Sequence, residues 1–347
     1  MEYSSFRMPA EWALQARIWL SWPHARADWP GKFAPIPWVF AEMIRVITGS
    51  GQRVGLLVKD AKTRAEAMEM LDRTGVSLTL VDMLEVPTNR GWLRDCGPIW
   101  VKLEDGERIA LDWKFNAWAK YKNWRHDNDV PAAIADFTRD DTLSPTANDK
   151  DIVLEGGGIE VNGAGSIIVT EEWLLSDAQV RNRGFNREDY EAVFEHYLGA
   201  HNTIWLGDGI VGDDTHGHVD DITRFVNETT IVTAIESDKR DANYARLHDN
   251  KLRLMKAKDT NGKPFEVIDI PMPRPVIFEG QRLPASYANF LICNQVVLVP
   301  VFNDPADREA LNTLQQCFPT RSVVPIYARD LVWGLGTIHC LTQQEPV

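Results

Sequence analysis

Seven residues, Gly334-Leu335-Gly336-Thr337-Ile338-His339-Cys340, place a lone cysteine behind a glycine-rich bend. The two glycines are expected to take positive φ and to let the backbone come close to a ligand. Leu331-Val332-Trp333 and Ile338 would anchor that bend in apolar surroundings. Cys340 is therefore a candidate nucleophile; the competing reading is a buried structural thiol, the commoner fate of cysteine. A second stretch, from Asp213 to Asp221, brackets His218 with the carboxylates of Asp214, Asp220 and Asp221. Such carboxylates raise an imidazole's pKa and hold its ring, which suits a proton shuttle near neutral pH. Continued through Ile222 to Phe225 as a strand, the alternation would put His218 and Asp220 on one side. The same residues also read as a solvated acidic turn. A third reading is a metal site built from His216, His218 and Asp220 or Asp221.

Two further segments carry similar signals. In Asn89-Arg90-Gly91-Trp92-Leu93-Arg94-Asp95-Cys96-Gly97-Pro98, Asp95 could accept hydrogen bonds from a cation on which Trp92 packs. The bland alternative is a charged turn closed by Gly97-Pro98. In Glu155-Gly156-Gly157-Gly158 the glycine run lacks a following Lys-Ser/Thr, which excludes a P-loop. Glu155 reads either as a ligand for a cation or as the partner of Arg94. Trp113 and Trp118, around Phe115-Asn116, read as a pocket wall or as core. Cys96 adjoins Asp95 without an assigned chemistry, and Cys293 and Cys317 read as core.

Something must bring these distant segments together, and a repeated strand–helix–strand pattern is the candidate. Its first instance runs from Ile18-Trp19-Leu20 through a helix with Phe40, Met43, Ile44 and Ile47 on one face to Val54–Val58. A second continues through a helix around Ala65, Met68 and Leu71 to a strand at Ser77–Val81. The third joins Ile167–Val169 and Thr203–Leu206 by a helix presenting Tyr190, Val193, Phe194, Tyr197 and Leu198. Asn186 is its expected N-cap, Asp189 stands at N3 and Gly199 lies beyond its end. The fourth joins Thr230–Thr233 and Phe265–Ile268, and the fifth joins Val296–Val299 and Val323–Ile326. Extra strands are expected at Arg108–Trp113 and Ile222–Val226, with a short helix at Ala132–Phe137. If the units are alike, the polar and glycine-rich segments fall at equivalent positions and converge on one pocket.

Composition limits the partners. With 347 residues, 44% hydrophobic and 25% charged, the chain is an ordinary globular protein of one large or two medium domains. A net charge of −13 with no basic block argues against nucleic acid and for a small cation. No apolar run reaches the roughly 20 residues needed to span a bilayer. The N-terminus has no apolar signal core, and four widely spaced cysteines without a C-x-x-C pair point to a reducing, cytoplasmic setting.

The chain carries Trp92-Leu93-Arg94-Asp95-x-Gly97-Pro98, Asp112-Trp113-x-Phe115-Asn116-Ala117-Trp118, Leu154-Glu155-Gly156-Gly157, Gly217-His218-Val219-Asp220, Leu283-Pro284-Ala285-Ser286-Tyr287-x-Asn289-Phe290 and Ile338-His339-Cys340-x-Thr342-Gln343-Gln344. Together these motifs resemble the agmatine deiminase and bacterial peptidylarginine deiminase family. The resemblance runs in order along nearly the whole chain and implies one catalytic domain over 1–347. It implies an α/β, pentein-type β/α propeller of five ββαβ units around a pseudo-fivefold axis. It further implies Cys340 as nucleophile, His218 as acid and base, and Asp95 and Asp220 as guanidinium acceptors. Trp92, Glu155 and Asp214 are the expected substrate-binding residues. The expected substrate is a small cationic guanidino compound, agmatine first and peptidyl-arginine as alternative, with no metal and no cofactor. A homo-oligomer is left open. Two departures stand out: the family tends to carry Asp at the position of His216, and three glycines and an Asn where this chain has Gly334-Leu335-Gly336-Thr337. Two other classes fit the residues alone. A metal-dependent amidohydrolase would use His216, His218 and Asp220 and leave Cys340 idle, and a cation-binding protein would use the same acids without turnover.

Overall fold

Five sheets built to one recipe organise residues 5–347, which the computed structural model describes. In each, an antiparallel strand flanks a pair of strands joined by a helix. Contacts divide the chain into two compact units, each woven from separate stretches. One comprises the N-terminal stretch through Glu11 with Asp95–Ile210 and Thr215–Asp269; the other comprises Trp12–Arg94, Val211–Asp214 and Ile270–Val347.

In the unit containing Trp12–Arg94, strand Gln15–Ser21 leads through helix Ile36–Gly49 to the parallel strand Arg53–Val58. Its antiparallel neighbour is the far strand Thr342–Pro346, paired Trp19 with Gln343. Helix Ala61–Arg73 then adds Val81–Glu85 to the same sheet. The second sheet of this unit has Leu291–Ile292 antiparallel to Val296–Val301, and helix Ala306–Cys317 leading to the parallel Ser322–Tyr327. The central strands, Val54 to Val58 and Val296 to Pro300, are buried throughout and apolar on both faces, as expected for strands covered on both sides.

The other unit holds three sheets of this kind and a two-stranded ribbon, Thr146–Ala147 with Lys150–Asp151, among the described residues. The first has Ile99–Lys102, Arg108–Leu111, helix Val130–Thr138 and Asp141–Leu143. The second has Glu160–Val161, Ser166–Thr170, helix Arg187–Leu198 and Asn202–Leu206. The third has Thr223–Asn227, Thr230–Ile235, helix Ala242–Leu254 and Glu266–Pro271. Helix Arg187–Leu198 starts at the expected capping box, Asn186 with Asp189, and stops at a left-handed Gly199. Its buried Tyr190, Phe194 and Tyr197 join Trp173 and Trp113 in one core, each fully buried side chain contributing about 1.5–3 kcal/mol. Trp113 is therefore core and not a pocket wall.

The repeat count of five stands, but its membership changes. The first two expected instances share one four-stranded sheet, and the fifth sheet is the one over residues 99–143. Its closing strand, Asp141–Leu143, has three residues and no fully buried side chain, so no apolar run announces it. The expected strand at Ser77–Val81 is a 3-10 turn, Leu78–Leu80, followed by strand Val81–Glu85. Helix Ala61–Arg73 buries Thr63, Ala67 and Leu71, spaced by four, and leaves Ala65 and Met68 exposed. No helix among the described residues is long and apolar enough to cross a membrane.

Candidate active site

The stretch expected to run as a strand through His218 instead makes a tight turn, and so does the Glu155 segment. His218 is the N-cap of the 3-10 turn Val219–Asp221, and Glu155 is the N-cap of the 3-10 turn Gly156–Gly158. Thr170 fixes the approach to His218 by donating from its hydroxyl to the Gly217 carbonyl at 2.5 Å. His218 and Asp220 nevertheless face one point. A Cβ at Gly157 would stand 2.7 Å from His218 Nδ1, 2.8 Å from Asp95 Oδ1 and 3.2 Å from Asp220 Oδ2. The bare glycine is what lets those three side chains close on the backbone there.

The resulting cluster is dry and charged. His218, Asp95, Glu155 and Asp220 are all buried. His218 Nδ1 lies 3.7 Å from Asp95 Oδ1 and its Nε2 lies 3.5 Å from Glu155 Oε2. The Trp173 ring meets the imidazole edge-on, and its Nε1–H donates to Glu155 Oε2 at 2.7 Å. Asp95 accepts from Trp118 Nε1 at 2.8 Å and from the Gly157 backbone N–H at 3.1 Å. Arg181, absent from the expected site, donates from Nε to Glu155 Oε1 at 2.9 Å and from Nη2 to the Thr215 carbonyl at 2.5 Å. Glu155 thus has Arg181 as its cation, not Arg94.

The electrostatics follow from these contacts. Burial raises the Asp95 pKa to about 6, with Asp220 and Glu155 adding to the rise and His218 and Trp118 opposing it. Burial works against charge on His218, but Asp95, Glu155 and Asp220 outweigh it and bring its pKa up to about 9. Burial would raise Glu155 too, yet Arg181 and His218 win and hold it at about 2. Asp95, Glu155 and Asp220 face the cations His218 and Arg181, and with all five ionised this set carries one surplus negative charge; Arg224, which Asp220 also attracts, is matched by Glu11 and Glu160. A guanidinium would neutralise the surplus.

The other unit holds the cysteine. Cys340 is buried, between the 3-10 turn Leu331–Gly334 and the strand Thr342–Pro346. Leu331, Val332, Trp333 and Ile338 are buried around it, as expected. The backbone expectation is corrected: the left-handed residue of the bend is Leu335, at φ 69°, and neither Gly334 nor Gly336 has positive φ. The glycines serve close packing. A Cβ at Gly336 would lie 2.8 Å from the Trp92 ring and 3.2 Å from Cys340 Sγ, and one at Gly334 would lie 2.6 Å from the Trp29 ring.

Asn289 donates from Nδ2 to Cys340 Sγ at 3.0 Å, and Arg94 donates from its backbone N–H to the Cys340 carbonyl at 3.2 Å. The Arg94 guanidinium reaches Gln344 Oε1 at 2.7 Å. Trp92 stacks on Trp29 at 5.5 Å and donates from Nε1 to Asp28 Oδ2 at 3.0 Å. Burial raises the Asp28 pKa, Arg90 and Trp92 lower it, and Asp214 raises it further, so Asp214 lies beside this aromatic ledge.

In sequence and fold the chain is similar to proteins already known. Residues 7–346 fit the description of the Porphyromonas-type peptidyl-arginine deiminases. The chain belongs to that family. An agmatine deiminase of Pseudomonas putida is 34% identical over 373 aligned positions, covering 98% of this chain and 95% of its own. The solved agmatine deiminase of Enterococcus faecalis is 31% identical with a TM-score of 0.90, covering 99% of this chain and 96% of its own. A cysteine-to-serine variant of the C. jejuni agmatine deiminase, solved with substrate bound, is 28% identical with a TM-score of 0.87, over 98% and 96% of the two chains. An amidinotransferase from Microseira wollei, 12% identical with a TM-score of 0.53, shares the fold alone. The expected pentein-type α/β fold is borne out.

Within this deiminase family member, the expected residues are placed as follows. One unit brings together Asp95, Glu155, His218 and Asp220; the other holds Cys340, Trp92 and Asp214. His216 faces elsewhere: its Nε2 is 3.0 Å from Ser176 Oγ and its Nδ1 is 3.9 Å from Glu172. The two histidines of the metal reading thus serve different carboxylates. Cys96 is buried beside Asp127 with its thiol pKa pushed well up, first by burial, and Cys293 is buried, whereas Cys317 is only half-buried on its helix. Sequence reasoning missed Arg181, Asn289 and Asp28. Asn289 sat inside a quoted family motif, so a signal existed; Arg181 and Asp28 carry none.

Proposed function

We propose that the chain hydrolyses agmatine to N-carbamoylputrescine and ammonia, with Cys340 and the His218 cluster acting on one guanidinium. The observation that carries the reading is the surplus negative charge of the buried Asp95–Glu155–Asp220–His218–Arg181 cluster, which a guanidinium would neutralise. Arg94, which binds the Cys340 carbonyl, is the sequence neighbour of Asp95, which supports joint action. The C. jejuni relative solved with substrate in a cysteine-to-serine variant supports the cysteine as the reactive group.

In this mechanism Asp95 and Asp220 accept guanidinium N–H bonds, each such charge-assisted bond being worth about 1.5–3 kcal/mol, and hold the carbon for attack. Cys340 Sγ adds to that carbon. His218, charged at neutral pH, gives its proton to one departing amine, and ammonia leaves from the tetrahedral centre. The remaining amidino-cysteine accepts a water whose proton returns to His218. Collapse frees the thiolate and leaves a urea on the putrescine chain. The last hydroxyl proton leaves with the ammonia as ammonium, so that one guanidinium and one water give one urea and one ammonium, and atoms and charge balance.

Agmatine is preferred over free arginine because Asp214, beside the ledge where Asp28 is already paired with Arg90, would attract a distal ammonium and repel a carboxylate. Peptidyl-arginine remains the second reading, favoured by the description of the family. Ammonia release measured over agmatine, arginine and benzoyl-arginine amide decides between them. The highest kcat/KM is expected for agmatine. A higher value for the peptide mimic would overturn the substrate and keep the chemistry; ammonia from none of them would sink both.

A further inference from the structure

We propose that Asn289 is a catalytic residue whose amide N–H donates to Cys340 Sγ and holds the sulfur as a thiolate for attack. The proposal rests on Cys340 being the nucleophile. A carboxamide can present either end, and only its partners say which. Here the oxygen end is occupied: Asn289 Oδ1 accepts from the Thr337 hydroxyl at 2.7 Å and from the backbone N–H of His339 at 3.0 Å and of Cys340 at 3.4 Å. Turning the amide over would aim an NH2 at those donors, a buried clash of like dipoles. The NH2 must therefore face Sγ, 3.0 Å away. Asn289 is wholly buried and Thr337 nearly so, which keeps water from competing.

The support around Asn289 is rigid. Its own carbonyl accepts from the His339 N–H at 3.3 Å, the Ser286 hydroxyl oxygen accepts from the Ala288 N–H at 3.1 Å, and Tyr287 donates to Asp307 at 2.6 Å. Thr337 then gains a task. Standing where the family tends to carry Asn, it sets the sense of the amide through one hydroxyl. A free thiol of pKa near 8.5 is only a few per cent thiolate at neutral pH, so a fixed donor at sulfur raises the reactive fraction directly.

The test reads Cys340 itself, without substrate. Alkylation by iodoacetamide is followed by mass spectrometry of the peptide bearing Cys340, across pH 5 to 10. Asn289→Asp keeps the volume and the acceptor for the three donors but turns an oxygen toward Sγ. Its alkylation at pH 7 is expected to slow about tenfold or more, the value of a charge-assisted hydrogen bond, with the rate profile displaced to higher pH. Thr337→Val removes one donor and should displace it the same way by about threefold, and Thr337→Ser should restore the parent profile. If Asn289→Asp does not fold, the threonine pair decides alone. Parent-like profiles in the variants that fold overturn the role of Asn289. Turnover surviving Cys340→Ala would instead overturn the nucleophile, whatever the alkylation shows.

Discussion

Adding one methyl group at Gly157 tests whether the proposed catalytic cluster is held to tolerance. The new Cβ would sit 2.7 Å from His218 Nδ1 and 2.8 Å from Asp95 Oδ1, where ordinary contact begins at 3.4 Å. The imidazole must then retreat by about 0.7 Å and the carboxylate by about 0.6 Å, and a misplacement approaching 1 Å costs about a hundredfold in rate. Neither group has slack, because Trp173 lies against the ring while Trp118 and the Gly157 N–H hold Asp95. We expect Gly157→Ala to lower kcat for guanidine hydrolysis between about tenfold and a hundredfold. Overpacking should also cost about 1–3 kcal/mol of stability, visible as a fall in Tm. Gly49→Ala, at a helix end with nothing within 4 Å of the added Cβ, is the control and should leave kcat unchanged. A coupled ammonia assay with thermal melts of both variants suffices. Gly157→Ala retaining kcat within about threefold of parent would refute the claim that this glycine sets the cluster's geometry.

The remaining expectations are briefer. In the proposed mechanism Asp95 must be charged to accept a guanidinium and His218 must be charged to protonate the amine, so kcat/KM should rise as pH passes about 6 and fall as it passes about 9. A profile with no acidic limb between pH 5 and 7 would remove Asp95 from that role. His218→Ala should lose about 10²–10⁴ in kcat, whereas His216→Ala, directed at Ser176 and Glu172, should stay within about tenfold of parent. Equal losses rescued by added zinc would favour the metal reading. Gly336→Ala, with its methyl 3.2 Å from Sγ and 2.8 Å from Trp92, should slow both turnover and Cys340 alkylation by about tenfold or more; unchanged alkylation would show that the bend yields freely.

What could be read from the chain depended on the scale of the interaction. Buried parallel strands announce themselves because both faces are apolar, and Val54–Val58 or Val296–Val299 were plain for that reason. Asp141–Leu143 escaped because its ladder forms at a polar edge, where backbone pairing needs no apolar side chains. The glycines of the bend were noticed for the wrong reason. Composition suggested freedom of φ, yet the strained conformation falls on Leu335, and Gly336 is small because Trp92 and Cys340 press on it. That pressure is tertiary and leaves no local trace. Arg181 is the same kind of case: nothing about Val180-Arg181-Asn182 marks a side chain destined for Glu155. His218 and Asp220 were paired correctly but by the wrong geometry, a 3-10 turn in place of strand alternation.

Trp19 and Glu345, hydrogen-bonded across one sheet, stand 326 positions apart in the chain. A pairing at that sequence separation gains no local help, so we expect it to form late in folding. The strand it completes begins two residues after Cys340. A folding intermediate lacking that pairing would therefore have an unanchored sulfur, while the His218–carboxylate cluster, made from the other unit, could already exist. Such a species would bind cations without forming an amidino-thioether. If Cys340 is the nucleophile as proposed, the long-range closure would serve as a kinetic safety catch, arming the thiol only in molecules that have finished folding.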